Sequence, residues 1–265
     1  LRKIGKDVFI HPEARIDVDY LEIGDFSKIN KGVVITGKKV IIGREAWLDE
    51  GAKIGGGRAE LGTLQTGDFL HVRSGSQINT ASDVKIGHEV GLGGNIFTHG
   101  AYLNRLAGFP YQVGDVTIGN EVWLPNADIH PNVVIGDYVV VAAGSIVNKN
   151  LPSGCFAGGI PVKILKRDVF PRKVDDSERL KILNEIRVDT KRYGIDFKID
   201  SSGEFIIMNK TVFNVMNLTI VGEVNISTER VKDVLRRHGI RFRYYNKDGE
   251  YVEWEKNSGF ESTRG

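Results

Sequence analysis

Aliphatic residues recur at steps of six through roughly the first 150 positions, each followed by a small or polar residue. The run opens with Ile10 and Ile16, continues with Ile23, Ile29 and Ile35, and proceeds through Ile42, Leu48 and Ile54. It returns at Ile86 and Leu92, then at Ile118, Leu124, Ile129, Ile135, Val141 and Val147. The followers are Gly24, Asn30, Gly43, Asp49, Gly55, Gly87, Gly93, Gly119, Gly136 and Asn148. A period of six fits neither an amphipathic helix nor a single alternating strand. It predicts a parallel β-helix, in which short strands stack into a prism with the aliphatic residue inward. The small follower then sits at the corner, where Gly and Asn tolerate left-handed backbone values.

The repeat covers about residues 8–150 with two interruptions. Between Leu61 and Val84 the spacing loosens around His71, Gly75 and Ile78, and between Thr98 and Val116 the segment HGAYLNRLAGFPYQVGD carries no period. An insertion in a repeat array maps to a loop leaving one edge, often the binding edge. Between Leu124 and Ile129 there are five steps rather than six, which predicts a shortened or bulged coil. The segment from Leu151 to Arg167 reads as the exit from the last coil. Composition then changes. Capping candidates at Asp175 precede a helix burying Leu180, Leu183 and Ile186 and ending near Gly194. Strand-like runs follow at Phe205–Met208, Val212–Met216 and Leu218–Val221, then a helix from Ser227 to Gly239 and a hairpin across Asn246–Gly249. The expected organisation is a β-helix over residues 1–170, with a loop insertion at 99–115, and a small α+β domain over 171–265. Residues from Lys256 onward read as disordered.

Composition narrows the partners. Net charge is +2, from 36 basic and 34 acidic residues, so no bulk field favours nucleic acid or a membrane surface. No apolar run reaches the roughly 20 residues of a spanning helix. The lone Cys155 excludes an intramolecular disulfide and suits a reducing compartment, which makes cytoplasm the default location. The first residue is Leu rather than Met, so a removed leader stays compatible with the sequence.

Three motifs occur in order: IGxxVW at Ile118–Trp123, VIGDYVVVAAGSIV at Val134–Val147, and GGIPVKILK at Gly158–Lys166. Together the stretch Val116–Asp168 resembles the bacterial hexapeptide-repeat acyltransferases, in particular the branch that acetylates sugar or xenobiotic hydroxyls with acetyl-CoA. The resemblance covers about residues 8–168 and leaves the C-terminal part unmatched. It implies a left-handed coil, against the usual right-handed crossover preference. It also implies a homotrimer with active sites between neighbouring prisms.

Acetyl transfer to an alcohol needs a base to take the hydroxyl proton, and His is the side chain suited to that task. His99, in GGNIFTHGAY where the coil gives way to the insertion, matches the general base of the resembling family. The implied chemistry is direct attack of the acceptor hydroxyl on the thioester, with no acyl-enzyme and no role for Cys155. By the same resemblance the pantetheine arm of acetyl-CoA lies along Ala143, Gly144 and Ser145, although such small residues also suit an ordinary corner. Pro161, Lys163, Lys166 and Arg167 match the nucleotide end, where cations meet phosphate, and Trp123 packs against the cofactor or wedges between coils. Composition and location make Tyr102, Asn104, Arg105, Phe109 and Tyr111 candidates for lining a sugar ring.

Competing readings remain at this level. An amino-sugar N-acetyltransferase needs the same base. His71 and His88, with IGH at Ile86–His88, resemble two zinc ligands of the γ-class carbonic anhydrases, but Gly93 occupies the place of the third, and three protein ligands are the usual minimum. His11 and His130 follow core aliphatics and read as corner residues, and His238 suits a helix C-terminus. A non-catalytic scaffold is the third class.

Overall fold

The computed structural model describes residues 1–56, 62–100 and 103–254. The fold is mainly β: nineteen strands join in one hydrogen-bonded sheet, and the described residues contain two α-helices. Two compact units are formed, Leu1–Pro171 and a second beginning at Arg172. Tyr102 and the segment from Lys256 onward lie outside the described residues.

Strand pairing in the first unit is parallel in three ladders, one per face of the coil. On the first face Ile10, Ile29, Leu48, Val72, Leu92 and Leu124 stand in register. On the second, Ile16, Ile35, Ile54, Ile78, Ile96, Ile129 and Val147 do so. The third face aligns Thr66, Ile86, Ile118, Ile135 and Leu151 above the earlier Ile4, Ile23 and Ile42. From Ile23 onward the aliphatic side chains of these columns fill a single apolar core, with Ile10 and Ile16 partly buried against it and Ile4 exposed.

Two expectations are corrected. The period does not break between Leu61 and Val84. Strands at Thr63–Thr66, His71–Val72 and Gln77–Ile78 continue all three ladders. The coil is hidden in the sequence because Thr66 takes an aliphatic position. It is buried there because its Oγ1 accepts from Gly43 N at 3.1 Å and donates to Gly67 O at 3.2 Å.

The second correction concerns the glycines. Gly24, Gly43, Gly87, Gly119 and Gly136 are not the left-handed residues of their corners. The left-handed position lies two residues later, at Phe26, Glu45, Glu89, Glu121 and Tyr138. Those glycines are required because coils stack closely. A Cβ on Gly87 would stand 2.5 Å from Gly119 O, and one on Gly43 2.3 Å from Gly67 O.

The same corner carries a ladder of side-chain acceptors. Lys6 N donates to Asp25 Oδ1, Arg44 N to Asp68 Oδ1, Asp68 N to His88 Nδ1, His88 N to Asn120 Oδ1, Asn120 N to Asp137 Oδ1 and Asp137 N to Ser153 Oγ, all at 2.6–3.0 Å. At these six places a coil satisfies a corner N–H of the one before it, and Arg44, which carries donors only, interrupts the series after Asp25.

At the opposite corner Gly91–Ile96 and Trp123–Ile129 run straight from the first face to the second, and the register slips between Gly93 and Gly94. This is the expected bulge opposite Pro125–Ala127. The coil ends when Lys163–Lys166 turns back antiparallel along Phe156–Gly158.

In the second unit, helix α1 (Asp176–Lys191) is capped by Asp175. A four-stranded antiparallel sheet follows, made of Lys198–Ile199, Phe205–Met208, Thr211–Asn214 and Thr219–Val221. Helix α2 (Ile226–Arg237) begins at a capping box on Asn225. A hairpin of Tyr244–Lys247 and Glu250–Glu253 completes it. The core of this unit centres on Phe213, Ile206, Val231 and Leu235.

Candidate functional site

The insertion leaves the coil as a two-stranded ribbon, with His99 opposite Val113 and Gly100 opposite Gln112. Its outer part contains a short 3₁₀ turn, Arg105–Ala107, none of whose side chains is buried. Here the acceptor candidates already have local roles. Asn104 caps the turn by accepting from Leu106 N at 3.0 Å, and the Arg105 guanidinium lies 4.1 Å from the Tyr111 ring centre. Leu103, Leu106, Phe109 and Tyr111 are all exposed apolar surface on this arm.

His99 stands at the base of the ribbon, and a buried polar cluster orients it. Its Nδ1 is 2.9 Å from Asn79 Oδ1. That oxygen also receives Ala81 N at 3.3 Å, Thr98 N at 3.4 Å and Thr98 Oγ1 at 2.5 Å. Two backbone N–H donors identify the atom as the carbonyl oxygen rather than the amide nitrogen of Asn79. His99 Nδ1 must then carry its hydrogen, and the lone pair of the neutral ring sits on Nε2, the form a general base needs. Asn79 and Thr98 are buried, so this orientation is set by the coil and not by the exposed arm. Asn79 was not legible in the sequence: after Ile78 it reads as one more aliphatic–Asn corner.

The remaining histidines have other tasks. His88, buried, is the corner rung between Asp68 and Asn120, with Nδ1 accepting from Asp68 N at 2.9 Å. His71 faces outward on the first face, 2.7 Å from Asp49 Oδ2 and edge-on to Trp47. The pair that the zinc reading requires is thus held by different partners, and among the described residues no group of three His, Cys, Asp or Glu could hold a metal. His11 Nδ1 accepts from Glu13 N, His130 packs edge-on against Phe97, and His238 closes α2 beside Asp189 at 3.3 Å.

The cofactor candidates gather on the first face and its corner. Trp123 lies outward there, 41% exposed, with its ring over Gly91, where a Cβ would come within 2.3 Å of it. The motif tryptophan therefore wedges between coils and still presents surface. Ala143 and Gly144 are exposed at the corner between first and second faces. Ser145 is buried, and its hydroxyl is committed to Ala142 O at 2.6 Å and Gly159 N at 3.0 Å, leaving its side chain no free hydrogen for a ligand. Pro161, Lys163, Lys166 and Arg167 are exposed on and beside the returning strand. Burial pushes the Cys155 thiol up, against the nearby Arg167, which disfavours a nucleophilic thiolate. Within one chain His99 follows the second face, whereas Trp123 and the lysine-bearing strand belong to the first.

Comparison with known sequences agrees with the repeat. The family pattern "Bacterial transferase hexapeptide (six repeats)" matches residues 115–149. A putative acetyltransferase, YvoF of Bacillus subtilis, is 33% identical over 126 residues, covering 43% of this chain and 67% of that protein. Galactoside O-acetyltransferase of Escherichia coli is 35% identical over 88 residues, 33% of this chain and 35% of that protein. The chain thus spans about a third to two thirds of the length of these relatives. Among solved structures, a hexapeptide-repeat acetyltransferase of Vibrio cholerae complexed with acetyl-CoA superposes with TM-score 0.41 at 22% identity, over 51% of this chain and 70% of that one. The motifs, the six-residue coil and the relative matched over two thirds of its length agree, and the chain belongs to the bacterial hexapeptide-repeat acetyltransferase family.

Proposed function

We propose that this protein is an acetyl-CoA-dependent O-acetyltransferase acting on a carbohydrate hydroxyl. The observation that carries the reading is the Asn79–His99 pair, which leaves an imidazole lone pair on Nε2 at the edge of the coil. His99 Nε2 takes the acceptor hydroxyl proton as the oxygen attacks the thioester carbonyl. The tetrahedral intermediate collapses to the ester, and the departing thiolate takes the proton back from the imidazolium. Asn79 is a positioning residue. Trp123, Ala143, Gly144, Pro161, Lys163, Lys166 and Arg167 hold acetyl-CoA, with Ser145 acting only through its backbone.

The separation of His99 from the first-face residues favours a homotrimer, in which the base of one prism meets the cofactor face of its neighbour. We assign the coil a left-handed sense on family resemblance and the protein a cytoplasmic location on its single buried thiol. The sugar acceptor is supported by the galactoside O-acetyltransferase relative and by the Arg105–Tyr111 pair on the arm that starts at His99.

The test is thioester release from acetyl-CoA across free glycans, nucleotide sugars and amino sugars. His99→Ala should retain acetyl-CoA binding and lose turnover by about 10²–10⁴-fold. Asn79→Ala should lower kcat while sparing KM for acetyl-CoA. Near-normal turnover by His99→Ala removes the assignment, and transfer confined to amino sugars replaces O- by N-acetylation.

A further inference from the structure

The second unit contains a cleft that no part of the transfer reaction uses. It lies beside α2 and the segment leaving α1, and its volume is ≈ 350 Å³. Ile195 and Val234 form an apolar floor, 4% and 6% exposed. Tyr193 stands at the rim, 58% exposed. Arg230, Asp233 and Arg237 line the helix side, brought onto one stripe of α2 by their spacing of three and four residues.

The charges are not equivalent. Arg237 is paired with Asp233 at 2.8 Å, so that couple is neutral. Arg230 is exposed on α2, and among the described residues no carboxylate pairs with it, Asp233 being held by Arg237. The cleft therefore offers one available guanidinium, one exposed phenol ring and an apolar floor. The neighbouring cleft by Phe197 lacks this arrangement, because Arg187 is already held by Asp196 through two nitrogens. A guanidinium recognises a carboxylate through two parallel N–H bonds. An aromatic ring beside it suits the apolar face of a pyranose, and the volume matches a unit or two of sugar at the lower end of small-molecule sites.

We infer that this cleft binds a carboxylated sugar residue of an acidic glycan, with Arg230 on the carboxylate and Tyr193 against the ring. The inference rests on the carbohydrate reading above and deepens it: the second unit would hold the polymer whose hydroxyl is acetylated elsewhere.

The test uses the full chain, labelled for amide NMR and without acetyl-CoA. Sodium D-glucuronate should give saturable shifts at Tyr193, Ile195 and Arg230, and methyl D-glucoside should bind at least about tenfold more weakly. Arg230→Gln should weaken glucuronate by about tenfold or more, because the paired charge-assisted bonds to the carboxylate are lost from an exposed position. Lys210→Gln, away from the cleft, should change nothing. Absence of shifts, shifts indifferent to Arg230→Gln, or inorganic phosphate binding as tightly as glucuronate would each overturn the proposal. Thioester release with a small neutral acceptor should be the same for Arg230→Gln and the unaltered chain, so loss of the transfer reading and loss of this one are separately visible.

Discussion

The coil and the second unit satisfy their backbone polar groups in contrasting ways. In the coil one solution is repeated: the same corner N–H finds an acceptor on the next coil, whether that acceptor is Asp68, His88, Asn120 or Asp137. In the second unit each end is closed individually, by Asp175 on α1 and by the reciprocal Asn225–Thr228 pair on α2. Repetition makes geometry predictable and chemistry deceptive. His88 looks like a ligand in isolation and like a corner residue in its column. Among single-use sites the reverse holds, since nothing in the pattern foretells them and every residue has its own reason.

The sharpest way to probe this contrast is a glycine exchange. Gly87→Ala places a methyl against the backbone of the next coil and should cost about 3 kcal/mol. Gly249→Ala, in the hairpin turn with φ +91° and nothing within 4 Å, should cost about 1 kcal/mol from backbone strain alone. Chemical denaturation of both variants checks the ratio, and equal losses would show that coil stacking is looser than described. Next in size, His88→Leu leaves the buried Asp68 N–H without its acceptor and should cost about 1–3 kcal/mol. His88→Asn should restore part of that, because Asn120 performs the same task one coil on; a Leu variant as stable as the parent would remove the rung.

Asn225→Ala should cost about 1 kcal/mol through the lost cap of α2. Fluorotryptophan NMR can assign the loss, with Trp254 reporting the second unit and Trp47 and Trp123 the coil. The smallest effect is expected on acidification. The backbone N–H of Glu178 holds the Asp175 carboxyl below its usual range, and hydrogen bonds from Arg172 and Arg187 do the same for Glu178 and Asp196. Their stabilising contributions are present above about pH 4 and fade as pH falls through the lowered values. These groups are exposed, so the change should be slight and should shrink further in high salt.

Most of the coil could be read from residue order because an inward aliphatic every six positions has few physical explanations. What escaped did so for definable reasons. Thr66 is apolar in position and polar in chemistry, so the count of aliphatics passed over a whole coil. The glycines were legible as necessary but not for the right cause, since crowding by a neighbouring coil leaves no mark within one repeat. His99 stood out because it follows the last regular strand before an insertion. Asn79, which aims it, lies twenty residues away and depends on coil stacking to reach it.

The corner ladder has a further consequence for how this protein can lengthen or shorten. Register pairs Ile23 with Ile42 on one face, and the rungs at Asp25 and Asp68 accept the same kind of N–H. Excising Gly24 through Ile42 joins Ile23 to Gly43 and keeps the aliphatic columns, but it removes Asp25 and puts Arg44, which has no acceptor, beside Lys6 N. A one-residue difference, as between Leu92–Ile96 and Leu124–Ile129, is absorbed locally by a bulge. The aliphatic core is thus modular in whole turns, and the corner residue is the part that has to be matched when a turn is lost.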